Sequence, residues 1–278
     1  MQQKLLAKLS DYSFELVAIL SVVMTIVYGS DKWPMTTFGT VLLTVAVLQR
    51  KVVTTYTFWL LMSGVSAFTF GLFWYTEGDG FLLQIYWSIA ILLAVNTSER
   101  DTTLSEMARL LIGVVFLLAV GSKLASPDFM SGAFYEVFLV YDFGRVGMIG
   151  LFLTDLSLVD ANANANAAQL LPEQSVTLIS APGIRQLAVV LTGLTLVVEA
   201  ALAAAFLLKL PLWVRDGVLI LFLAGTYLVA PIVVFGVTLA IMGFAQTSPS
   251  KVKAIYLFFV LFIQLTPLRT YIPLIFMS

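Results

Sequence analysis

Cysteine and histidine are both absent from the 278 residues, and only 11% of the chain is charged. Without cysteine there is no disulfide staple and no thiolate nucleophile. Without histidine there is no zinc site of the usual kind and no imidazole-ligated haem or chlorophyll. Acid–base chemistry would fall to Lys, Glu, Asp or Tyr, and no group of ligating side chains points to a metal. A basic stripe is missing too, and with a formal charge of −1 the composition argues against a nucleic-acid partner. Segments of alternating hydrophobicity, the mark of an outer-membrane barrel, do not occur.

What is present is hydrocarbon. Hydrophobic residues make up 60% of the chain and the mean hydropathy is +0.99, more apolar surface than a water-soluble fold can bury. Apolar runs of helical length recur, so the sequence predicts an all-α, polytopic transmembrane helix bundle of about eight to nine spans with no soluble domain. The lipid bilayer is the first partner this implies. The N-terminus lacks the small-residue cleavage site of a secretory signal, so its first apolar run reads as a retained span.

Lys4 and Lys8 precede a first span over Phe14–Tyr28 and place the N-terminus in the cytoplasm, as expected of a bacterial inner membrane protein. Trp33-Pro34 opens a second span that ends before Arg50-Lys51, and a third follows from Val52 to Tyr75. Phe81–Val95 forms a fourth, and a capping signal at Thr103–Glu106 begins a fifth that stops at Lys123, on the exterior. A sixth segment, Ala133–Leu153, carries Glu136, Asp142 and Arg145; charges at that depth face protein or a wet cavity. Asp142 and Arg145, three residues apart, suit each other as a local pair as well as a functional role.

Residues 155–184 form the one long polar segment, with a low-complexity Asn-Ala core at Asn162–Ala167, and read as a linker between a front bundle, 1–154, and a three-helix back portion, 185–278. In the back portion Glu199 lies near the middle of Gln186–Leu208, where a lone carboxylate points inward toward a partner. The alanines around it leave room for a close helix neighbour. Val218–Phe244 reads as one long span kinked near Pro231, and Ala254–Phe276 as the last. If the Glu136 segment crosses fully, Arg100, Arg109, Lys251 and Lys253 all fall on the cytoplasmic side; if it is re-entrant, the last three spans invert, and the charge bias favours the full crossing.

The sequence turns on Gly121-Ser122-Lys123-Leu124-Ala125-Ser126-Pro127-Asp128-Phe129, where an apolar helix stops at a lysine and yields to a loop closed by Gly132. Near the edge of the hydrocarbon layer, desolvation favours the neutral, basic form of a lysine; snorkelling to the headgroups is the plainer alternative. The stretch of small residue, Lys-Leu, Asp-Phe and Gly resembles the motif in the transmembrane region of vitamin K-dependent gamma-carboxylases and of the horizontally transferred transmembrane (HTTM) domains. DoxX-like membrane proteins carry looser versions. The order of later segments is similar, from Leu191–Glu199 to Phe235-Gly236 and then Gln246–Pro249, so the resemblance spans Leu104 to Pro249.

The resemblance implies that Lys123 matches the proposed base that deprotonates reduced vitamin K, with Glu199 or Glu136 as counter-ion and a quinone or lipid as ligand. Asp128, Glu136, Asp142, Arg145 and Tyr227 are then pocket candidates. The family's histidine is missing, with Tyr227 near its place, and no extramembrane peptide-binding domain is expected in this chain. These departures favour a non-catalytic subunit or assembly factor with membrane-protein partners, ahead of a quinone- or lipid-handling enzyme. A transporter, motivated by the intramembrane charges, ranks third because no inverted repeat is visible.

Overall fold

The computed structural model describes residues 13–29, 35–73, 79–141, 153–157, 159–160, 163–164, 179–229 and 233–265, and the regular elements among them are all helical. Three helices are long and apolar enough to cross a membrane by length and composition: α3 (Tyr56–Phe73), α5 (Arg100–Ala125) and α8 (Ile184–Leu207). Shorter apolar helices accompany them. These are α1 (Ser13–Gly29), α2 (Thr40–Leu48, entered through a π-turned segment, Met35–Gly39), α4 (Asp79–Val95), α9 (Leu212–Val229), α10 (Val233–Gln246) and α11 (Ser250–Leu265). Between α5 and α8 lie α6 (Pro127–Met130) and α7 (Ala133–Tyr141). The chain divides into two compact units, unit 1 being Met1–Val115, Ala205–Leu223 and Ile232–Ser278, and unit 2 Phe116–Ala204 and Ala224–Pro231.

In unit 1, α10 is buried from Gly236 through Phe244 and packs against α1, α4 and α11. A helix apolar on every side suits such a central place. Small and hydroxylated residues let its neighbours close in: Ser63 and Ser88 meet at 3.3 Å between α3 and α4, and the Trp87 indole donates to Ser21 Oγ at 2.9 Å. Gly243 is required where Tyr256 crosses α10, because a Cβ there would collide with the phenol ring. Likewise, a Cβ on Gly113 would meet the Leu207 side chain at 2.8 Å.

Helix termini gather at one end of this unit. The Arg100 guanidinium lies 5.6 Å over the Phe14 ring, Lys253 Nζ donates to Ser13 Oγ at 3.0 Å, and Ser105 Oγ donates to the Gln246 carbonyl at 3.4 Å. Asp216, near the start of α9, accepts hydrogen bonds from Gln246 and Thr247, at the end of α10. The chain therefore reverses between α9 and α10, and Val218–Phe244 is an antiparallel pair of helices instead of one kinked span. Pro231 lacks an N–H and disfavours helix in the residue before it, so a break there is the physical expectation.

Within unit 1, Arg109 meets Phe206 and Glu106 meets Lys209, so the start of α5 lies beside the end of α8. Arg100, Arg109 and Lys253 share one end of unit 1.

In unit 2, α7 packs across the first half of α8: Leu139 and Val140 join Ile184, Ala188 and Leu156 in a buried cluster. The Asn-Ala stretch contributes to this core through Asn164, which is 2% exposed. Its amide donates to the Val140 and Ile179 carbonyls at 3.1 and 2.8 Å and its oxygen accepts from Ile179 N at 2.7 Å, which ties the end of α7 to the entry of α8. A buried amide needs such partners, and a low-complexity reading of the stretch overlooks it.

Candidate functional site

The last turn of α5 carries Lys123, and the chain is then turned by a compact device. Ser126 caps α6, its Oγ accepting from Phe129 N at 3.3 Å, with Pro127 at the first helical position. Gly132 takes φ +82° and sits against Val189, where a Cβ would approach the Val189 side chain at 3.2 Å. Glycine is needed there on both counts. The turn buries Phe129 and sets it beside Phe134 and Tyr135, with ring centroids 5.6 and 5.8 Å away.

Above this aromatic floor, Lys123 Nζ donates to both carboxylate oxygens of Glu199, at 2.8 Å each, and lies 5.6 Å from the Phe129 ring. The Glu199 side chain is 9% exposed and that of Lys123 25%. One turn earlier on the same face of α8, Thr195 Oγ1 shares a 2.6 Å hydrogen bond with Tyr135 OH. Two ammonium protons thus go to one carboxylate, the two charges cancel, and the third ammonium direction faces the aromatic side. Chemically the arrangement is a neutral clamp between α5 and α8 within unit 2.

The remaining sequence candidates are placed differently. Asp128 is exposed in the first turn of α6. Glu136 is half-buried and forms no ion pair with a described residue, so Glu199, the other candidate counter-ion, is the carboxylate that meets Lys123. Asp142, Arg145 and the side chain of Tyr227 lie outside the described residues.

Unit 1 holds a polar cluster that reading the sequence overlooked. Asp216, 4% exposed, accepts from Gln246 Nε2 at 2.6 Å, Thr247 Oγ1 at 2.7 Å and Tyr256 OH at 2.9 Å. Close by, α8 ends with Lys209 at φ 54°, Leu210 N donating to the Ala205 carbonyl at 3.0 Å in the manner of a Schellman motif. Arg109 Nη1 takes the Phe206 carbonyl at 2.6 Å, and Glu106 pairs with both Arg109 and Lys209 at 2.9 Å. Carbonyls that a helix end leaves open are satisfied this way. The signal available in the sequence was Arg215-Asp216 at one end of an apolar stretch with Gln246-Thr247 at the other, the spacing of a helical hairpin.

No protein-family model, curated protein or solved structure matches the chain.

Proposed function

We propose that the chain is an HTTM-like integral membrane protein of about eight to nine crossings that serves as a non-catalytic subunit or assembly factor of a larger membrane complex. One observation carries this reading: Lys123, which the resemblance marks as a base, is held by both oxygens of Glu199 in a closed, neutral clamp. The absent histidine supports the same conclusion. So do the apolar side chains that α5 and α8 leave uncovered, among them Leu117, Leu118, Val190 and Val197, which suit lipid and partner helices. Lys4 and Lys8 before the first apolar run support an N-terminus on the cytoplasmic side of a bacterial inner membrane.

A second reading has an observation of its own. The ammonium stands 5.6 Å from the Phe129 ring, which Phe134 and Tyr135 flank with tilted and edge-on rings, an apolar aromatic neighbourhood in which a quinone ring could pack, with Lys123 as base. The two are separated by gentle solubilisation of the tagged chain from its own membrane, followed by native mass spectrometry of proteins and released small molecules. The subunit reading expects stoichiometric protein partners that fall in abundance when the chain is deleted. A monodisperse protein carrying one quinone, lost in Lys123→Ala, overturns it.

A further inference from the structure

At the polar end of unit 1, three cations share two carboxylates. Glu106 is taken by Arg109 and Lys209, and Asp216 is occupied by Gln246, Thr247 and Tyr256. Arg215 is left over: it forms no ion pair among the described residues, and its Nε is shielded from solvent without an acceptor. Arg109 repels its charge, and Asp216 and Glu106 attract it without bonding to it. A guanidinium so placed is costly unless an anion covers it.

We infer that Arg215 binds the phosphate of an anionic phospholipid. The guanidinium fork matches phosphate oxygens. The surroundings select a lipid over a free anion: Trp213 is 77% exposed, as suits an aromatic side chain at the headgroup level, and Leu208, 71% exposed, adds apolar surface beside it. The first turns of α9 also border a groove of about 440 Å³ lined by Leu212, Trp213, Gly217, Ile220, Pro249 and Val252, with Asp216 at its side already occupied by its three donors, and it takes an acyl chain. Gly217 keeps it open, since nothing lies within 4 Å of where its Cβ would be. The inference rests on the membrane embedding proposed above and not on the presence of partner subunits.

The test uses the full chain, delipidated in mild detergent and offered phosphatidylglycerol and phosphatidylcholine in equal amounts, with bound lipid counted by native mass spectrometry. One phosphatidylglycerol is expected, preferred by about tenfold, a basic side chain at the surface accounting for most of that factor. Arg215→Gln, which removes an unpartnered charge, brings the preference below about twofold. Arg185→Gln, in unit 2, leaves it intact, and Gly217→Trp lowers retention of both lipids. Equal retention of the two lipids by the natural chain, or an unchanged preference in Arg215→Gln, overturns the inference. Displacement of the lipid by millimolar inorganic phosphate does so as well, since it marks a free-anion site. A chain that enters phospholipid nanodiscs of neither composition overturns the membrane reading and this inference together, an outcome distinct from the other three.

Discussion

Glu199 and Asp216, the buried carboxylates among the described residues, are satisfied in opposite ways. In unit 2 a single cation answers a single anion, Lys123 on Glu199, and the pair is closed. In unit 1 Asp216 is met by three neutral donors and Glu106 takes Arg109 and Lys209, so Arg215 has no ion-pair partner among the described residues. A carboxylate matched by a cation ties two helices and leaves little charge to offer. One matched by neutral groups ties three helices and leaves Arg215 available to a ligand. The same residue type thus produces a clamp in one place and a charged surface in another, and the partner set decides which.

The comparison breaks most sharply at Asp216. Asp216→Leu orphans the donors of Gln246, Thr247 and Tyr256 and should destabilise the protein by about 3–5 kcal/mol, read as a lowered thermal midpoint in detergent. The Glu199→Leu variant strands the Lys123 ammonium beside an apolar residue, and a loss of about 2–4 kcal/mol is expected by the same assay. Adding Lys123→Met to Glu199→Leu should restore most of that loss, a coupling of roughly 1–3 kcal/mol that a double-mutant cycle measures. Unit 1 offers no equivalent rescue, since no single second change removes three donors.

Smaller effects sharpen the contrast. Tyr135→Phe deletes the hydrogen bond to Thr195 beside the clamp, with a cost of about 1 kcal/mol, and should leave the Lys123–Glu199 coupling unaltered. Lys209→Gly relieves a left-handed backbone but removes the cation from Glu106, two effects of similar size and opposite sign. Its thermal midpoint should match the natural chain's within about 1 kcal/mol. A large loss there would show the Lys209–Glu106 pair to be stronger than an exposed pair should be.

Reading the sequence located α1, α4, α5 and α8 to within a few residues, because an apolar run bounded by charges or turn residues fixes a helix nearly by itself. The α9–α10 reversal was missed for a physical reason. Pro231 in an apolar run is compatible with both a kink and a turn, and only the hydrogen bonds between Asp216 and residues 30 and 31 positions later distinguish them. Lys123 and Glu199 each stood out as a charge too costly to leave in oil. Their meeting across 76 residues is tertiary and no local pattern encodes it. Asp216 did not stand out, since a carboxylate beside Arg215 reads as an ordinary interfacial pair. Asn164 was hidden by repetition, one asparagine among neighbours that look alike.

The central claim, that Lys123 and Glu199 hold helices together and do not perform chemistry, is tested most directly by placing the double variant Lys123→Met, Glu199→Leu in the native membrane and examining the solubilised assembly by native mass spectrometry. The account predicts the same partner stoichiometry as the natural chain, and no small molecule lost. Intact folding with loss of a bound quinone, or of an activity the natural chain supports, would contradict it and return Lys123 to the role of base.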